Sequence, residues 1–326
     1  MSDKTGTLTR NVMKFKRVSV SGMMFGDNER DEFADEDLVN RYREDPASPD
    51  GMAIRELLMM MAICHTVVPE KKDGKISYQC SSPDEGALVR GAAKVGFEFH
   101  TRQPKKVTLS VLGKDEVLDV LDVIDFTSDR KRMSVVVRDA QGVIKLYTKG
   151  AVSDDNLPQF LKKILFCILF CKISLIIRLL YLQDTMIFER LVPGSESAID
   201  DTMIFERLTP GSESAIDVCH EHLEDFASFG YRTLCFAMRV VPEDEYNAWA
   251  KDYHAAGILI EGRQKALAEV AERIEKNMEL IGATAIEDKL QEYVPETVQA
   301  LMAADMRVWM LTGDKRETAI NIGKFF

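Results

Sequence analysis

The chain has 326 residues, 46% of them hydrophobic, enough for two domains with real cores. Its 42 Lys and Arg against 53 Asp and Glu leave a formal charge of −11. That balance excludes a dedicated nucleic-acid binder, whose affinity needs a basic face against phosphates.

The six cysteines (Cys64, Cys80, Cys167, Cys171, Cys219 and Cys235) form no CxxC pair and no secreted framework. The first apolar run is too short and too charged for a signal peptide. A reduced, cytosolic setting is expected for the chain.

The chain opens Met1-Ser2-Asp3-Lys4-Thr5-Gly6-Thr7-Leu8-Thr9. Phosphoryl transfer through a covalent intermediate needs a carboxylate at a strand tip, with small residues beside it so that phosphate can approach. Asp3 has that setting: Gly6 permits a tight turn, and Thr5 and Thr7 offer hydroxyls. An isolated Asp would serve equally as a loop carboxylate or a helix cap. Strand-like alternation follows over Val12–Phe25 and again over Val107–Val137, with helical patterns at Ala53–His65 and Asp84–Val95.

Within this stretch Ser82-Pro83-Asp84-Glu85-Gly86-Ala87-Leu88 joins a proline turn to an acidic helix start. Asp125-Phe126-Thr127-Ser128-Asp129-Arg130-Lys131-Arg132-Met133 sets an aromatic beside polar and basic residues. That pairing suits an adenine ring on Phe126 with Ser128 and Lys131 at its polar groups, although a lone Phe before a strand is ordinarily core. A strand at Val143–Thr148 runs into Lys149-Gly150-Ala151, and Gly230-Tyr231-Arg232-Thr233-Leu234-Cys235 precedes another. Glu287-Asp288-Lys289-Leu290-Gln291 and Val294-Pro295-Glu296-Thr297 come next; Asp288 reads either as a helix-start carboxylate or as a hinge or ribose contact. Arg307–Leu311 is expected to be a short buried strand. Thr312-Gly313-Asp314 then opens a helix through Ala319 and Ile322, offering free N–H groups and a positive dipole end to an anion.

The strings DKTGTLT and LTGDK resemble the phosphorylation and second phosphate-site motifs of P-type ATPases. The resemblance covers nearly the whole chain outside one stretch in its middle. It implies an α/β phosphorylation domain, haloacid-dehalogenase-like and Rossmann-like, split in sequence by an inserted α+β nucleotide-binding domain. The expected divisions are 1–15 and 280–326 for the first and 16–279 for the second. It further implies that Asp3 becomes an aspartyl phosphate, that Mg²⁺ is held partly by Asp3 and by the backbone of Thr5, and that ATP is the nucleotide. The implied binding set is Asp3, Lys4, Thr5, Glu85, Phe126, Ser128, Lys131, Lys149, Arg232, Thr312, Gly313 and Asp314. Lys149 would line the pocket, and Arg232 would approach the phosphates as a bidentate guanidinium. Related phosphatases often carry a second Asp two residues after the nucleophile. Thr5 stands there and cannot shuttle a proton, so the acyl phosphate should persist, which favours a pump over a phosphatase. SPDEGALV, DFTSDRKRMSV and EDKLQ resemble the type IV, phospholipid-translocating branch. That branch implies a phospholipid substrate, an accessory glycoprotein subunit and a membrane location for the intact parent.

Two oddities interrupt the pattern. Asp184–Asp200 and Asp201–Asp217 are adjacent copies of one 17-residue string, differing only at Val192 and Thr209. Before them Ile164–Leu182 is apolar for 19 residues, roughly 28 Å as a helix, but carries Lys172 and Arg178. Those charges make membrane insertion marginal. A crossing would also put Phe126 and Lys149 on the opposite side from Arg232 and Asp314. The family pattern runs from KGA directly into a DTxIFERL string, so the resemblance implies that Ala151 should be followed by Asp201 and that Val152–Asp200 is an insertion, of retained intron sequence and a duplicated segment.

Only Met1 and Ser2 precede Asp3, and Phe326 comes before any GDGxND motif. The central strand and the rest of the metal site are thus expected to be missing, along with the membrane domain. The alternative to a phosphorylating enzyme is a truncated, non-catalytic ATP-binding module without transport activity.

Overall fold

A computed structural model of the chain describes residues 2–33, 35–72, 74–150, 204–211 and 213–311. The apolar stretch, the expected insertion and the Thr312–Asp314 loop lie outside the described residues.

The frame is a nine-stranded antiparallel sheet in the order β3-β2-β12-β11-β10-β9-β8-β7-β6. Its strands are β2 (Thr9–Val20), β3 (Met23–Phe25), β6 (Phe97–Gln103), β7 (Lys106–Val111), β8 (Lys114–Ile124), β9 (Arg132–Arg138), β10 (Ile144–Gly150), β11 (Arg232–Val241) and β12 (Glu279–Leu290). A separate hairpin joins β4 (Val68–Lys72) to β5 (Lys75–Gln79).

The alternation read in β9 sorts its side chains between two cores, because successive residues of a strand face opposite sides. Met133, Val135 and Val137 join one apolar cluster with Leu57 and Leu58 of α2 (Pro49–Ile63) and Leu88 of α3 (Pro83–Lys94). Leu38 of α1 (Glu36–Glu44) packs there too. Val136 joins the other cluster, with Leu223 of α4 (Glu213–Ser228), Trp249 of α5 (Glu243–Ile258) and Ile274 of α6 (Arg263–Ile274). The sheet is thus covered by helices on both faces.

Helix starts follow the local chemistry. Ser48 caps α2 by accepting from the Gly51 N–H at 3.0 Å, with Pro49 in the first turn. Ser82-Pro83 opens α3 with Asp84 and Glu85 in its first turn, as the motif suggested. Among the described residues no helix is long and apolar enough to cross a membrane.

A second, parallel pairing stands apart from the large sheet. β1 (Ser2–Asp3) lies beside β13 (Met310–Leu311), Asp3 opposite Leu311, and the Ser2 N–H donates to the Trp309 carbonyl at 2.8 Å. α7 (Val294–Ala303) leads toward it. The expected buried strand over Arg307–Leu311 is shorter than read: Val308 and Trp309 are exposed and only Met310 and Leu311 are laddered. Asp288 also departs from one of its two readings, since it lies within β12 rather than at a helix start.

Candidate functional site

Four antiparallel neighbours bring their functional ends to one side of the sheet. Gly150 at the end of β10 faces Arg132 at the start of β9 and Cys235 of β11. Arg232 at the start of β11 faces Ile286 of β12, two residues before Asp288. Lys149, Arg232, Asp288 and the Asp125–Lys131 loop feeding β9 therefore gather where the start of α3 also arrives. Gly150 has to be small: a Cβ there would sit 2.8 Å from the Arg132 Cβ and 2.9 Å from the Lys131 carbonyl.

Lys149 Nζ donates to Glu85 Oε1 at 2.8 Å, and both side chains are largely buried. Glu85 Oε2 accepts from the Thr66 N–H at 3.0 Å and the Thr66 hydroxyl at 2.8 Å. Burial alone would raise the Glu85 carboxyl. The Lys149 charge and the hydrogen bonds from Lys149 and Thr66 outweigh it and hold the pKa below its ordinary 4.5.

Buried His65 lies next door. Its Nδ1 accepts from the Val67 N–H at 3.1 Å, so Nε2 carries the proton given to the Ala62 carbonyl at 2.7 Å. Burial first, then the Lys149 charge, push its pKa down to about 3. Arg232 reaches Asp84 at 3.4 Å. The Asp288 carboxylate is raised by burial, against the pull of the Thr9 hydroxyl, Lys4 and Arg232, with Asp84 adding repulsion. Neither of its buried oxygens has a hydrogen bond of ordinary geometry.

Phe126 is 60% exposed, which removes the reading of it as core; Ser128 and Lys131 in the same loop are exposed too. An uncovered aromatic ring at the sheet end that also carries Lys149 and Arg232 offers what a nucleoside triphosphate needs: a stacking face for the base and cations for the phosphates.

At the other end, Lys4–Leu8 form one π-helical turn after Asp3. Gly6 takes φ +77°, and its N–H donates to the Thr9 hydroxyl at 3.1 Å. Lys4 is buried. The side chains of Asp3 and Thr5 lie outside the described residues, as do Thr312, Gly313 and Asp314, but the backbone of Asp3 runs beside the residue that precedes Thr312. Among the described residues no group of three or more His, Cys, Asp or Glu comes together to hold a metal. A Mg²⁺ carried by substrate phosphates needs only one or two protein carboxylates, so an Asp3-based site does not require such a group.

A family model described as P-type ATPase, cytoplasmic domain N, matches residues 53–154, the stretch holding Glu85, Phe126, Ser128, Lys131 and Lys149. Over those residues the chain is similar to the P-type ATPases. ATP use and Mg²⁺ dependence are general properties of that family. The chain is 57% identical over 323 residues to phospholipid-transporting ATPase tat-1 of Caenorhabditis elegans. It is 40% identical over 337 residues to phospholipid-transporting ATPase DRS2 of Saccharomyces cerevisiae. It is 38% identical over 342 residues to phospholipid-transporting ATPase IC of Homo sapiens. Each alignment takes in 99% of this chain but only 24%, 21% and 23% of the relative, so the chain spans about a quarter of the proteins it matches.

Sequence reasoning passed over several members of this cluster. Thr66 and His65 follow the end of α2 with no motif spacing to mark them. Asp84, quoted only as part of a helix start, is the partner of Arg232.

Proposed function

We propose that this chain is the ATP-binding and phosphorylation region of a phospholipid-moving P-type ATPase. ATP binds with its base on Phe126 and its polar groups near Ser128 and Lys131. Its phosphates meet Lys149 and Arg232, and the terminal phosphoryl group passes to the Asp3 carboxylate. In that step the Asp3 oxygen forms the new bond to phosphorus while the bond to the bridging oxygen of ADP breaks. Asp3 and the backbone of Thr5 would hold Mg²⁺, which would neutralise charge on the phosphates. Residues 1–15 and 280–326 form the phosphorylation part and 16–279 the nucleotide part, and Thr312, Gly313 and Asp314 complete the phosphate contacts. In the intact parent the cycle moves phospholipid toward the cytosolic leaflet of a membrane, with an accessory glycoprotein subunit.

The observation that carries this reading is the convergence of an exposed Phe126 with Lys149, Glu85 and Arg232 at one sheet end. Supporting it, the backbone of Asp3 lies beside the strand that leads into Thr312.

The test is to incubate the chain with Mg²⁺ and γ-labelled ATP. An acid-stable, hydroxylamine-labile phosphoprotein that Asp3→Asn abolishes is expected. Nucleotide binding without any label would instead make this chain an ATP-binding module that does not phosphorylate itself.

A further inference from the structure

The ring of Phe126 projects from a loop whose shape is set from the opposite face of the sheet. Arg130 Nη1 donates to the Asp125 carbonyl at 2.8 Å, directly before Phe126. The Arg130 N–H donates to the Thr127 hydroxyl at 3.3 Å, and the Lys131 N–H to the Thr127 carbonyl at 2.8 Å. What holds Arg130 is Glu275, the fully buried residue that ends α6: Arg130 Nη2 pairs with Glu275 Oε1, and Arg132 Nε donates to Glu275 Oε2 at 2.8 Å. Ser134 also donates to Glu275 Oε1, at 2.5 Å. Ser134 alternates along β9 with Met133, which faces the α2–α3 side, so Glu275 works from the α4–α6 side, across the sheet from the Lys149–Glu85 pair.

We propose that Glu275 is a positioning residue for nucleotide binding: acting through Arg130, it fixes the Asp125–Lys131 loop so that Phe126 stands ready to receive the base. This rests on the adenine role of Phe126 proposed above. A carboxylate that merely filled the core would need one cation. Glu275 instead binds two arginines and a serine at the base of this one loop. The cost of ordering the loop is then met by folding rather than by ligand binding, which is how preorganisation raises affinity.

The experiment uses the full chain with Glu275→Gln and with Arg130→Lys, each also in a Phe126→Ala background. Calorimetry gives Kd for ATP and for inorganic tripolyphosphate, below each variant's unfolding temperature. The expected result is ATP binding weakened about tenfold, tripolyphosphate binding changed by less than about twofold, and no further loss of ATP binding once Phe126 is alanine. Equal weakening for both ligands, an equal loss in the Phe126→Ala background, or unchanged ATP binding overturns the proposal. Should Glu275→Gln fail to fold, Arg130→Lys still decides it. Phe126→Ala alone separates the two claims: if it leaves ATP affinity unchanged, the adenine reading itself is refuted.

Discussion

His65 shows how a single buried group can set the acid limit of the site. A folded-state pKa of about 3 against an ordinary 6.5 means that the unfolded chain takes up a proton below pH 6.5 while the folded chain does not. Stability is therefore complete above pH 6.5 and falls as pH drops toward 3, by up to about 1.4 kcal/mol per pH unit. Below 4.5 the loss of the Lys149–Glu85 attraction adds to it, since the Glu85 pKa is also depressed. Urea unfolding of His65→Gln between pH 7 and 5 is expected to give a flatter dependence than the parent chain. A residual slope would belong to His222, which burial also lowers. An unchanged slope would mean that His65 accepts a proton in the folded state. The histidine stays neutral because its two ring nitrogens are already committed to backbone partners, and because a second cation beside Lys149 would be repelled.

At the scale of elements, close backbone approach governs the pairing of β2 with β12. A Cβ at Gly282 would lie 2.1 Å from the Ser19 carbonyl, and that carbonyl belongs to the facing strand, so nothing flexible can yield. Gly282→Ala is expected to destabilise the chain by about 3 kcal/mol, read as a lower denaturation midpoint with little change in slope. Its effect should far exceed that of Gly257→Ala, where a Cβ meets nothing within 4 Å.

Much of this level was legible beforehand. The Pro-Asp-Glu start of α3, the strand ahead of Lys149 and the strand after Tyr231 all announce themselves by turn residues and alternation. The exposure of Phe126 was not legible, because an aromatic before a strand packs inward or projects outward according to neighbours far away in sequence. The same holds for Glu275, whose ties to Arg130 and Arg132 span 145 and 143 residues. The strand over Arg307–Leu311 was read too long: only Met310 and Leu311 are laddered, and Val308 and Trp309 are exposed.

Across the whole molecule, β2 and β12 connect the two regions where chemistry has to meet. Arg232 stands opposite Ile286, which stands opposite Phe15, while Leu290 stands opposite Thr9. Asp288 is the group that feels both ends of this two-stranded track: the charges of Lys4, next to Asp3, and of Arg232 both act on its carboxylate. The track carries two register irregularities, between Ala285 and Ile286 and between Asp288 and Leu290, and Asp288 sits between them with its buried oxygens unsatisfied. Its raised pKa means that the folded state binds the proton more tightly, so this carboxylate costs stability as pH rises above 3.8. Solvent screening of a half-buried group keeps that cost within about 1 kcal/mol. Asp288→Asn is accordingly expected to raise the unfolding temperature at pH 7 while slowing labelling of Asp3, with ATP affinity little changed. A variant that lost stability, or labelled at the parent rate, would reduce Asp288 to a structural strand residue.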